Sequence, residues 1–125
     1  RQSHDRYRKF FCQLPSYFRE AMQNQNVYDG IANDEELFKR WLYDLKTSQV
    51  KNMFMEWYQS EFPKTNMTKE KFDNHLKNVY DIEQQKPYRC LRNPSKVVRG
   101  YGNLFVDLVV SVCKEDDPNN YFQEQ

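Results

Sequence analysis

Few residues in this chain are able to do covalent or metal chemistry. His4 and His75 are the only histidines, and Cys12, Cys90 and Cys113 the only thiols. Structural zinc sites draw their N and S ligands from closely spaced pairs, and no such pair occurs among these five residues. A Cys-His nucleophile pair has no local signature here either, and a buried cysteine in a small domain usually serves packing. The glycine patterns that cradle phosphates, G-x-G-x-x-G and G-x-x-x-x-G-K-[ST], are absent, and Gly100-Tyr101-Gly102 reads as a hairpin or wing turn. No catalytic residue, no metal and no cofactor is expected, so the chain reads as a non-enzyme.

What remains is charge carried on helices and loops. The 19 Lys and Arg against 18 Asp and Glu leave a net charge of +1. That near-neutral total hides an uneven division: residues 1–20 carry +3, 21–63 carry −3, 64–103 carry +5 and 104–125 carry −4. Between Lys86 and Asn103 lie Lys86, Arg89, Arg92, Lys96 and Arg99 with no acid, which predicts a local basic surface. Cations placed this way release counterions from a nucleic-acid backbone, and Arg89, Arg92, Lys96 and Arg99 are the expected phosphate contacts. Base edges would be read by Asn74, Lys77 and Asn78, since Asn pairs with adenine and Lys donates to guanine, with Lys69 and Lys71 flanking them. Tyr101, placed at a turn tip, is the one ring expected outside the core, free to stack on a base or on a protein partner. The plainer reading of the same residues is a solvated surface. His75, beside an apolar stripe, reads as a packing residue.

The elements that would position these residues follow from periodicity. Mean hydropathy is −1.04 and only 38% of residues are hydrophobic, but 16% are aromatic, so large rings must supply the core. Tyr7, Phe10, Phe11 and Leu14 form one helical face, broken or kinked near Pro15, and Tyr17, Phe18 and Met22 continue it. Residues 23–33 carry turn chemistry and read as a connector. Asn33 with Asp34, Glu35 and Glu36 opens a helix bearing Leu37, Phe38, Trp41, Leu42 and Leu45 on one stripe. Val50, Met53, Phe54, Trp57 and Tyr58 mark the next helix, closed by Pro63. Thr68 caps a third, with Phe72, Leu76 and Val79 facing inward. Short extended runs at 87–91 and 97–98 follow, then a turn at 100–103. Leu104, Val106, Leu108, Val110 and Val112 alternate as a strand, and an acidic tail from Lys114 is expected to fray.

The expected fold is mostly α with a small C-terminal β-hairpin, an α+β class. Its domain plan is a helical extension at 1–33, a core domain at 34–113 and a flexible acidic tail at 114–125. No stretch is apolar over 18 residues and the start lacks the apolar run of a secretory leader, so no membrane association is expected. The chain begins at Arg1, which suggests a piece of a larger protein. Three cysteines without a C-x-x-C pair fit a reducing compartment, while one bridge plus a free thiol stays compatible, and the sequon Asn66-Met67-Thr68 points weakly toward secretion.

Four segments together carry a likeness to a known family. They are Glu36-Leu37-Phe38-Lys39-Arg40-Trp41-Leu42, Met53-Phe54-Met55-Glu56-Trp57-Tyr58, the run Met67 to Leu76, and Arg99-Gly100-Tyr101-Gly102. Over residues 37–109 the chain resembles the winged-helix module at the carboxy end of primase-helicases from large DNA viruses and the related regulatory-factor-X type of winged helix. Where that family commonly has Phe-Gly-Lys in the third helix, this chain has Phe72-Asp73-Asn74, which sets a carboxylate near any bound phosphate. The resemblance implies a winged helix-turn-helix with an extra N-terminal helical segment. The third helix, 68–79, would lie in the groove of double-stranded DNA and the basic wing, 86–103, on its backbone. It further implies a role in replication or regulation within a parent chain, and an intracellular place in a nucleus or a viral replication compartment. The alternative is a protein-interaction or adaptor domain, viral or host, built on the same fold.

Overall fold

The structure, a computed structural model, describes residues 2–25 and 34–122, with side chains described for 5–23 and 34–122. The side chain of His4, most of the 23–33 connector and residues 123–125 lie outside that range. The elements in order are α1 (Gln2–Phe11), α2 (Leu14–Gln25), α3 (Asp34–Tyr43), α4 (Thr47–Glu61), α5 (Lys69–Tyr80), β1 (Tyr88–Arg89), β2 (Val97–Val98) and α6 (Asn103–Asp116). The class is α+β, mostly helical with one small antiparallel sheet.

The chain forms two compact units, one of residues 1–42 with 106–125 and one of residues 43–105. These boundaries differ from the expected ones at 33 and 113. The segment expected as a separate extension shares its unit with α3 and most of α6.

In the first unit, Pro15 explains the break between α1 and α2. It is the second residue of α2, where a missing N–H costs nothing, and the Gln13 carbonyl accepts from Ser16 and Tyr17 N–H to start the new helix. The apolar faces then bury Tyr7, Phe10, Phe11, Leu14 and Phe18. Phe18 meets Phe38 and Trp41 edge-on at centroid distances of 5.6 and 5.7 Å, a geometry that aligns ring edges with ring faces. The segment expected to fray is held. Arg8 grips the Asp116 carboxylate through two hydrogen bonds of 2.7 Å. Tyr121 is 5% exposed, and the Arg19 guanidinium lies 4.6 Å from the Phe122 ring centroid.

The expected strand at 104–112 is instead the helix α6. Phe105, Val106, Val109, Val110, Val112 and Cys113 are buried, a spacing of helical period, while Leu104 is 60% exposed. Alternating β-branched residues favour a strand locally, but burial on one helical stripe outweighs a propensity difference of about 1 kcal/mol.

The second unit is built around α4 and α5. Val50, Phe54 and Tyr58 on α4 and Phe72 and Leu76 on α5 are buried, and the Phe54 and Phe72 rings lie 4.6 Å apart. Thr68 caps α5 as expected, its hydroxyl accepting from the Lys71 N–H at 3.2 Å. The helix ends in a reversal through Asp81, whose φ of 56° lies in the left-handed region, with Asp81 N–H donating to Lys77 and Ile82 N–H to Leu76. This reversal corrects the expected stripe. Val79 is 49% exposed, and Ile82, 3% exposed, supplies the last inward residue.

Candidate nucleic-acid interface

The hairpin that carries most of the basic run is short, and its register sets Tyr88 opposite Val98 and Arg89 opposite Val97. Its tip closes on Asn93, whose Oδ1 accepts from the Ser95 N–H and Oγ, while the Arg89 guanidinium donates to the Pro94 carbonyl at 2.9 Å. One buried carboxylate anchors the tip. Asp44, its side chain 4% exposed, accepts from the Leu91 N–H at 2.7 Å, the Arg92 N–H at 3.1 Å and Arg92 Nε at 3.0 Å. Arg92, expected on phosphate, is thus committed to holding the loop. A buried carboxylate needs this set of donors, because desolvating it unpaired would be costly.

The base of the hairpin is fixed by Tyr88. Its hydroxyl donates to the Tyr43 carbonyl at 2.8 Å and accepts from the Gly102 N–H at 3.1 Å. Burial pushes the phenol up to about 12. A phenol raised in the folded state keeps its proton after the unfolded chain has lost it near pH 10, so its stabilisation is complete below pH 10 and is lost toward about pH 12. Replacing Tyr88 with Phe is expected to cost about 1–2 kcal/mol at neutral pH, since the Tyr43 carbonyl and the Gly102 N–H lose their partner. The variant's urea midpoints should also decline less steeply between pH 10 and 12 than those of the parent, a difference read from paired denaturation curves.

Tyr101 does not sit at an exposed tip. It is 3% exposed, its hydroxyl donates to Asp73 Oδ1 at 2.6 Å, and its ring lies 5.2 Å from that of Phe105. Burial first and the Asp73 carboxylate second hold its phenol far above the ordinary range. Asp73 also accepts from Lys51 Nζ at 2.8 Å. The carboxylate expected to oppose a phosphate is therefore balanced from inside the unit, by one cation and one hydroxyl.

Along α5, Asn74 and Asn78 are exposed and four residues apart, which sets them on one face, with Lys71 three residues before Asn74. Lys77 shares that region but is paired, with Glu83 at 2.9 Å and Asp81 at 3.3 Å, and these acids raise its pKa, Glu83 more than Asp81. Lys69 is exposed at the first position of the helix. His75 is half-buried against Tyr80, their rings 5.7 Å apart, in keeping with a packing role.

Lys69, Lys86, Lys96 and Arg99 are exposed, and none has a hydrogen bond or ion pair from its side chain among the described residues. Arg99 also lines an open pocket of about 460 Å³ together with Lys46, Thr47, Ser48, Gln84 and Val97. Sequence reading missed Lys46, Ser48 and Gln84 here. Lys46 lies in the short link before α4, and the bond from Thr47 N–H to the Arg99 carbonyl at 3.0 Å brings that link beside the end of β2.

Among the described residues no group of three or more His, Cys, Asp or Glu side chains is placed to hold a metal, and no helix is long and apolar enough to cross a membrane. No family model matches the chain, and no curated protein or solved structure matches it.

Proposed function

We propose that this chain contributes a DNA-binding module of winged-helix type to a larger replication or regulatory protein. In this reading α4 and α5 followed by the hairpin, all in the second unit, supply the helix-turn-helix and its wing. Asn74 and Asn78 face base edges in the major groove, and Lys69, Lys71, Lys86, Arg89, Lys96 and Arg99 neutralise phosphates. The observation that carries it is the coexistence, in one compact unit, of an exposed Asn-bearing face on α5 and, at the hairpin, the exposed cations Lys86, Lys96 and Arg99, which pair with no acid among the described residues. Arg92, Lys77 and Tyr101 have no part in the contact, because their polar groups are engaged within the unit.

Fluorescence anisotropy with labelled duplex and single-stranded DNA at about 50 mM and about 200 mM salt tests this directly. Binding that weakens steeply with salt and favours duplex supports the reading, and no binding at the lower salt overturns it. Changing Asn74 and Asn78 to Ala should then shift sequence preference by about 1–3 kcal/mol at each base read, with the salt slope unchanged. An equal loss on every sequence would reduce both residues to backbone contacts.

A protein-interaction role is the second reading, and one observation favours it. Leu91 and Val97, on the same hairpin as the cations, are 53% and 59% exposed, and such apolar side chains suit a protein surface better than a phosphate backbone.

A further inference from the structure

Cys12 lies in the turn between α1 and α2, half-exposed, and Cys113 is buried on the inward face of α6. Both belong to the first unit, where the bidentate Arg8–Asp116 pair ties the same two stretches of chain together one turn away on each helix. The Cys113 thiol donates to the Phe11 carbonyl at 3.4 Å, which sets its sulfur beside the residue preceding Cys12. Each thiol is the largest influence on the other's protonation.

We propose that Cys12 and Cys113 form a hydroperoxide-responsive thiol pair, with Cys12 as the attacking sulfur and Cys113 as the resolving one. This assignment is independent of any nucleic-acid role. Access separates the two parts, since only Cys12 reaches solvent. Electrostatics separates them in the same direction. The neighbouring Cys113 thiol lowers the Cys12 pKa, with a smaller lowering from Arg8, against burial and the Asp116 and Asp117 carboxylates. The neighbouring Cys12 and burial hold Cys113 protonated. A thiolate stabilised by a neighbouring thiol is the reactive partner of dithiol sites.

The chemistry balances in two steps. The Cys12 thiolate attacks one peroxide oxygen, the S–O bond forms as the O–O bond breaks, and hydroxide leaves as water after taking a proton, which leaves a sulfenic acid. The Cys113 sulfur then attacks Cys12, the S–S bond forms as the S–O bond breaks, and the departing hydroxide takes the Cys113 proton as water. Two thiols and one peroxide become one disulfide and two waters, with sulfur oxidised and oxygen reduced.

The test treats the whole chain with hydrogen peroxide at neutral pH, alkylates the remaining thiols under denaturing conditions, and maps peptides without reduction. The expected product has lost two hydrogens, joins the Cys12 and Cys113 peptides, and reverts with dithiothreitol. Cys12 should be consumed about tenfold faster than Cys90, whose pKa is raised by burial. Cys113→Ala should leave a Cys12 sulfenic acid that dimedone traps, and the dimedone adduct should be scarce in the unsubstituted chain because Cys113 resolves it. Accumulation of Cys12 sulfenic or sulfinic acid in the unsubstituted chain, or oxidation of Cys90 ahead of Cys12, overturns the assignment.

Discussion

Replacing Lys69, Lys86, Lys96 and Arg99 together with Gln is expected to abolish most salt-dependent DNA binding while leaving the fold intact. These four cations make no internal pair among the described residues, so their loss exposes no buried acid. Each phosphate contact contributes about 0.9 to the slope of log affinity against log salt on duplex DNA, so four lost contacts should flatten it by about 3.6. Removing Arg92 instead should leave the slope in place and cost stability, since its guanidinium Nε is bonded to the buried Asp44 carboxylate. Anisotropy across a salt series, paired with thermal melts of each variant, separates the two effects. A slope that survives the fourfold replacement would remove the wing from the interface and turn attention to the apolar Leu91 and Val97.

The second large effect concerns a residue that carries no side chain. A methyl group on Gly100 would overlap the Tyr88 hydroxyl and would stand 2.7 Å from the Leu45 carbonyl oxygen. Backbone cannot move aside as a flexible side chain does, and the Gly100 carbonyl is itself held by the Gln85 N–H at 2.8 Å. Gly100→Ala is therefore expected to destabilise the protein by about 3 kcal/mol, at the upper end of overpacking costs. For a chain of this size that is a fall of roughly 10 °C in Tm, measurable by circular dichroism. Gly100→Ala combined with Tyr88→Phe should recover part of the loss, because it removes the atom that the methyl group strikes. Absence of recovery would place the whole cost on the Leu45 carbonyl.

The helices were legible because their signals are local. Thr68 before Lys69-Glu70-Lys71, the acids opening α3, Pro63 after α4 and the break at Pro15 each act over a few residues, and each marks a boundary seen in the structure. The two strands were legible as short extended runs at 87–91 and 97–98, but the turn joining them is Asn93-Pro94-Ser95 rather than Gly100-Tyr101-Gly102, which leads into α6 instead. The third helix and the two short strands of the candidate interface were thus placed correctly along the chain, while the turn of the hairpin was not. The roles of individual residues within it were not. Tyr101 reads as an exposed ring because two glycines flank it, yet its hydroxyl is claimed by Asp73, 28 residues earlier. Arg92 reads as a free cation because no acid lies near it in sequence, yet Asp44 reaches it across 48 residues.

The sequence by itself determined the helix boundaries at Pro15, Pro63 and Thr68, that aromatic rings must build the core, and that a basic stretch follows the third helix. These rest on hydrogen bonds and side-chain neighbours within one or two turns, which no distant contact needs to supply. Tertiary structure alone decided that residues 103–116 form a helix rather than a strand, which cations stay available to a ligand, and that Cys113 packs against the backbone just before Cys12. Each of those outcomes depends on burial or on an electrostatic partner tens of residues away, and such energies outweigh local preferences of about 1 kcal/mol only once the chain has closed on itself.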